Sequence, residues 1–135
     1  MPTDIVTIAQ GVAACLSENK PIISFVPEFE LGELSSKKCV IVPLSCDPKP
    51  ICRNSKIYEN VSRIEIGFLW RAKNLDTAKL VSEVRNAVGV LQHFKVGNAV
   101  CVKVDHDPLY DPEQLRSRNQ FTSVVALTFK EICHV

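Results

Sequence analysis

Apolar and polar positions along the chain change period several times, and each change marks an element. Ile5, Ile8, Ala9, Val12 and Leu16 recur at helical spacing, so the first segment predicts a helix with one apolar stripe. Thr3 is placed to cap it and Asp4 sits at its positive end. Asn19, Lys20 and Pro21 stop it. From 22 to 31 the period drops to two, with Ile23, Phe25, Phe29 and Leu31 set against Ser24, Glu28 and Glu30. Pro27 has no N–H for a ladder, which marks an edge or bulged strand. Gly32 to Lys37 read as a turn, and Cys39 to Leu44 read as a strand apolar on both faces. The two strands together predict a hairpin. Asp47, Pro48, Pro50, Asn54 and Ser55 make 45–60 a long loop, the kind that usually carries function or moves.

Ile64, Ile66, Phe68 and Trp70 then alternate with Arg63, Glu65, Gly67 and Arg71, giving a third strand over 61–71. Asn74 and Asp76 open a second helix whose apolar face is Leu80, Val81, Val84, Ala87, Val88 and Leu91. The spacing predicts about 20 residues, roughly 30 Å of helix, stopped at Gly97 and Asn98. Val100, Val102 and Val104 share one face of a fourth strand, opposite Cys101, Lys103 and Asp105. Pro112 starts a short helix. The last strand, over 120–132, puts Phe121, Val125, Leu127 and Phe129 on one face and Thr122, Thr128 and Lys130 on the other. This order predicts a single α+β domain spanning 1–135. Its sheet has about five strands, mostly antiparallel, packed against two helices. The connection through the long helix leaves room for one right-handed parallel pairing, making the sheet mixed.

Composition narrows the functional classes. Hydrophobic residues are 46% and charged residues 23% of the 135, the make-up of a globular domain and not of a disordered chain. Sixteen basic and fifteen acidic side chains leave a net charge of +1, which argues against a protein built to coat DNA. The six cysteines, Cys15, Cys39, Cys46, Cys52, Cys101 and Cys133, show no CxxC spacing. Cys39, Cys101 and Cys133 lie in apolar runs, so they read as reduced structural thiols in a chain made in a reducing cytoplasm. Val12-Ala13-Ala14-Cys15 looks like a lipoprotein box, but the preceding stretch carries Asp4, Thr7 and Gln10 and no base, unlike a signal peptide. No run is long and apolar enough for a membrane span.

Catalytic patterns are mostly missing. The five glycines, Gly11, Gly32, Gly67, Gly89 and Gly97, are scattered, so no phosphate loop forms, and there is no HExxH or GxSxG. Asp105-His106-Asp107 is a candidate metal corner or acid–base cluster, but His93 and His134 have no spacing that brings them to it. Cys133 and His134 are neighbours on a strand and point to opposite faces. The residues therefore predict no catalytic group, no metal and no cofactor. Arg63, Arg71, Lys73 and Lys103 share a sheet face, and Arg116, Arg118 and Lys130 form a second basic group. With acids interspersed and the aromatics on core faces, both read as solvated or inter-subunit surfaces before they read as DNA sites.

Asp107-Pro108-Leu109-Tyr110-Asp111-Pro112-Glu113-Gln114-Leu115-Arg116 leads into Asn119-Gln120-Phe121-Thr122-Ser123-Val124-Val125-Ala126-Leu127-Thr128-Phe129. This stretch resembles the C-terminal segment of small bacteriophage proteins that cap the tail tube or lie in the neck, where a "PLY.PE.L" loop enters a "QFTSV..LTF" strand. The element order also resembles the tail-terminator fold. The resemblance implies a structural virion protein: a homohexameric ring on the finished tail tube that ends polymerisation and joins the tail to the neck or connector. The implied partners are further copies of the chain, the tail tube protein and a neck or head-completion protein. DNA would pass through the lumen, and no membrane is involved. Three surfaces follow from that picture. The 45–60 loop, with Pro48, Pro50 and Arg53, would reach a neighbour or the tube. Tyr110, Arg116 and Arg118 would anchor a subunit contact, as Tyr and Arg favour such positions, although Tyr110 and Leu115 could equally pin their loop to the core. Arg63, Arg71 and Lys103 would face the lumen. A neck or head-completion adaptor is the close alternative. A nucleic-acid-binding module and a small enzyme are the other classes.

Overall fold

Asp4, and not Thr3, caps the first helix. Its side chain accepts from Val6 N–H at 2.8 Å, and helix α1 runs Ile5–Cys15. Thr3 instead binds across the fold: its N–H and Oγ1 donate to the Glu131 carboxylate at 2.7 and 3.1 Å. Ile8, Ala9, Val12 and Leu16 are buried, as the helical stripe requires. In this computed structural model the described residues are 3–25, 37–51, 56–71, 77–106, 110–118 and 120–134, without the side chains of Gln114 and Arg118. They form an α+β fold with one curled, mixed sheet.

The sheet has six strands in the order β1-β2-β3-β6-β5-β4. These are β1 Ile22–Ile23, β2 Lys37–Pro50, β3 Ile57–Arg71, β4 Lys95–Val96, β5 Ala99–Asp105 and β6 Gln120–His134. Strands β2, β3, β6, β5 and β4 are antiparallel in turn, and β1 pairs with β2 in parallel. The expected hairpin between the first two strands is therefore corrected. A parallel neighbour needs a crossover of about a dozen residues, and the chain between Ile23 and Lys37 is that long. Residues 26–36, which held most of that expected strand and its turn, lie outside the described residues, as do Asn74 and Asp76.

The stretch read as a loop over 45–60 is a second correction. Residues up to Pro50 and from Ile57 onward belong to β2 and β3, which pair from Ser45↔Arg63 to Pro50↔Tyr58. The prolines misled the sequence reading because they suit only one kind of position. Ile51 N–H donates to the Ile57 carbonyl, so that pair is hydrogen-bonded, and antiparallel alternation makes Pro50↔Tyr58 and Pro48↔Asn60 non-bonded pairs. The missing donors therefore face the open edge of β2, where proline costs no ladder bond.

Helix α2 spans Thr77–Gly89, shorter than expected. Leu80, Val84 and Val88 bury its apolar face, and Leu91 continues that burial from a turn instead of from helix. Gly97 and Asn98 do not stop a helix. They join β4 to β5 in a tight hairpin, where Val96 pairs Ala99 and Gly97 takes φ +60°. Gly11 lets α1 approach this hairpin, because a Cβ there would meet Val96 Cγ2 at 2.6 Å. Strands β3 and β5 run parallel on either side of β6, so the crossover through α2 adds no parallel pairing: β6 is inserted between them.

The core lies between one sheet face and the two longer helices. Ile41, Ile64, Ile66, Phe68, Phe121, Val125, Leu127 and Phe129 meet Ile8, Val12, Leu80 and Val84. A smaller cluster of Val40, Val42 and Leu69 is buried on the opposite face. The expected faces of β5 are corrected by a register shift between Cys101 and Lys103. This bulge splits the expected valine face, because Val100 pairs with Lys130 on the open face and Val104 with Leu127 on the core face, while Cys101 is buried and Lys103 turns to the open face.

Candidate functional site

Side chains pointing away from the helices form an open face, and the register arranges their charges in rows. Arg63 and Lys103 both align with Thr128, while Glu65 and Asp105 both align with Ala126. A basic row thus lies beside an acidic one, about 7 Å away along the strands. Lys130 follows, at 3.5 Å from Glu59. Arg63, Lys103, Lys130 and Lys49 line a shallow groove of about 660 Å³ together with Glu59 and Asp105. Arg71 shares the face but not the groove. It pairs with Gln120 at the far end of β3, about 27 Å from Arg63. Lys73 is outside the described residues. Lys130 does not join Arg116, because helix α3, Pro112–Arg118, begins beside Thr122, where Asp111 N–H donates to the Thr122 carbonyl, about 27 Å along β6 from Lys130.

At the other end of this face lies a trough of about 520 Å³. Glu65, Asp105 and Asp111 are its acidic members, Val124 and Ala126 its apolar floor, and Tyr110 and Pro112 a wall. Among the described residues no basic side chain lines it. Tyr110 stacks on Phe121 at 6.0 Å, and Phe121 stacks on Trp70 at 5.7 Å. Its ring thereby fixes the start of helix α3, Pro112–Arg118, where the Asp111 carboxylate accepts from Glu113 N–H at 3.0 Å. Arg116 is exposed and paired with Glu113 on its own helix. Arg118 ends that helix, and its side chain is outside the described set, as is Arg53.

Beyond Ile64 and Phe129 the core gives way to a three-stranded arm. From Leu44 to Ile51 every residue of the β2 side is exposed, Pro48 and Pro50 included. Cys46 Sγ lies 3.1 Å from Asn60 Oδ1. At the tip, Ile51 pairs with Ile57, and Ile132 sits diagonal to Ile57. By strand parity all three occupy the open face. The sequence reading missed Ile51 and Ile57 because it treated 45–60 as a loop. Same-face alternation could have found Glu65 and Lys130.

The titrating groups offer little chemistry. Burial pushes the Cys39 thiol up to about 12, with Lys37 opposing, and burial also raises Cys15 and Cys101. Such thiols are poor nucleophiles near neutral pH. The described cysteines are free, and Cys52 lies outside the set. No group of three or more metal-ligating side chains converges among the described residues. His106 Nε2 is 2.6 Å from Ser123 Oγ, and Ser123 is fully buried. No described helix is long and apolar enough to cross a membrane. In comparison with known proteins, no family model matches the sequence, and no curated protein matches it.

Proposed function

We propose that this chain is a structural virion subunit that associates with copies of itself into a ring on a phage tail tube, ends tube growth and presents its other side to the neck or connector. The observation that carries this reading is the arm. Three paired strands extend beyond the core and end in exposed isoleucines, a feature suited to docking and not to transforming a substrate. The likeness of 107–129 to tail-capping and neck proteins supplies the particular assembly. Burial of the thiols, which raises their pKa, makes them poor nucleophiles and so weighs against thiol chemistry in particular.

In this reading the arm, with Pro48 and Pro50, meets a neighbour or the tube, and Arg63 and Lys103 line the lumen through which DNA passes. Tyr110 contributes as the fixed wall of a contact surface, held by Phe121, and not as a free anchor. Electron microscopy of phage particles lacking the protein tests the assignment. Overlong tails, or full-length tails unjoined to heads, are expected. Normal tails beside leaking heads would replace the terminator with a neck adaptor, and wild-type particles would end both readings.

A further inference from the structure

We infer that the free edge of β5 is a docking strand for a second copy of this chain, the two β5 edges pairing antiparallel about a two-fold axis at Val104. The register leaves that edge with an unmade pair of bonds. Cys101 turns outward, where its N–H donates to the Phe94 carbonyl at 2.8 Å and its carbonyl accepts from His93 N–H at 3.0 Å. Cys101↔Phe129 is therefore a non-bonded pair with β6, and two residues along β6 the pair Val104↔Leu127 is non-bonded too. The Val104 N–H and carbonyl thus also point outward. Strand β4 ends its cover at Val100, and no described backbone group takes them. A cleft of about 240 Å³ between the end of α2 and Val104, lined by Arg85, Val88, Gly89 and Gln92, keeps the edge uncovered.

Charge selects the occupant. Lys103 and Asp105 flank Val104, are exposed on the open face and take part in no ion pair among the described residues. When Val104 of one copy lies opposite Val104 of the other, each Lys103 stands opposite an Asp105, with Cβ atoms about 5 Å apart. The edge is its own complement, and two ion pairs form together with two main-chain hydrogen bonds. A parallel approach in the same register would set lysine beside lysine and aspartate beside aspartate. Val102, 41% exposed on this edge, loses apolar surface to water in the same contact. The other edge of the sheet is closed to such pairing. Strand β1 covers Val40 and Ile41, and beyond them Pro48 and Pro50 place no donor outward, whereas β5 has no proline between Ala99 and Asp105. Lys103 alone would ward off a strand, but Asp105 two residues on turns the ward into a match. An isologous contact closes at two copies and builds no ring by itself, so the inference stands apart from the ring reading.

The test uses the full chain in sedimentation velocity and amide hydrogen exchange over a concentration series, with circular dichroism to confirm the fold. Wild type is expected to pair more weakly than about 10⁻⁶ M, since the contact is small. Its Val104 amide should exchange freely in dilute solution and become protected as pairs form. Lys103→Asp should weaken pairing about tenfold or more, and Asp105→Lys should match it. Mixed in equal amounts, these two variants should pair with each other, because both cross-edge positions again hold opposite charges. One chain carrying both changes should regain self-pairing. Val104→Pro should abolish it, because an outward N–H is lost at a place where proline costs no bond within the chain. A Val104 amide that stays unprotected at the highest soluble concentration would overturn self-pairing and leave the edge to a different extended partner. Single variants that pair as wild type does, or that fail to pair when mixed, would overturn the two-fold register. Tail lengths in particles lacking the protein judge the ring reading separately.

Discussion

Arg63 of β3 and Lys103 of β5 flank Thr128 of β6 in a single row across three strands, two cations about 10 Å apart. The next row holds Glu65 and Asp105 around Ala126. The sheet face is therefore charged without an excess of either sign, and DNA passing it meets little net attraction. The expected duplex-DNA affinity at physiological salt is no tighter than roughly 10⁻⁶ M, and Arg63→Gln with Lys103→Gln should lower the salt slope by at most about 2. Fluorescence anisotropy across a salt series measures both, and tight binding that persists in salt would refute it.

Pro48 and Pro50 face the open edge of β2, where their missing N–H groups cost no ladder bond. Replacing both with Thr should change folding stability by no more than about 1 kcal/mol. It should also restore two edge donors and promote edge-to-edge aggregation. Light scattering on heating reads the second effect. An equal or lower aggregation rate in the double variant would show that the prolines do not guard the edge.

Tyr110 and Arg116 are only a few residues apart yet differ in what holds them. Tyr110 stacks on the buried Phe121, whereas Arg116 pairs with Glu113 in solvent. Tyr110→Ala should cost about 2 kcal/mol through lost stacking and burial. Arg116→Ala should cost less than about 0.5 kcal/mol. Urea denaturation compares them, and equal effects would contradict the packing described.

Glu131 is buried, and its carboxylate accepts two hydrogen bonds from Thr3. This ties the start of α1 to the end of β6 across 128 positions of sequence. Glu131→Ala should destabilise the chain by about 2 kcal/mol, since it strands the Thr3 N–H. Thr3→Val, which keeps that N–H bond, should cost only about 1 kcal/mol. Hydrogen exchange should speed up first at the opening turn of α1, and protection unchanged there would sink the idea.

Cys39 gives a pH signature. In the folded chain its thiol keeps its proton up to about 12, against an ordinary thiol value of 9.0. The folded state thus binds the extra proton between these values. Stability is fully present below pH 9 and falls as pH rises toward 12. Cys15 and Cys101 are shifted the same way. Urea midpoints should drop between pH 8.5 and 11 (about two units into that window), and less steeply in Cys39→Ala. A flat profile in wild type would exclude the buried-thiol contribution.

Periodicity made much of the fold legible before any coordinates. The stripe from Ile8 to Leu16 and the alternation of Ile64 to Trp70 and of Phe121 to Phe129 each reflect which side of an element can leave water, a local property that spacing encodes. That Arg63 shares a face with Glu65 was also readable, because parity along a strand fixes it, whereas Lys103 joins them only through the bulge in β5. Pairing was not. Whether a proline's missing N–H faces a neighbour or an open edge depends on which strand lies alongside, so Pro48 and Pro50 looked like loop residues until β3 was placed beside them. The bulge at Val102, the hairpin at Gly97 and the insertion of β6 between β3 and β5 are likewise decided by contacts between distant segments. Thr3 seeks an acceptor either at its own helix or at Glu131, and only the folded sheet brings the second within reach. Spacing along the chain was enough to say which residues must leave water. The tertiary structure alone decided which strands meet, and so where the arm and trough stand, because hydrogen-bond partners across a sheet are set by registers that no local spacing records.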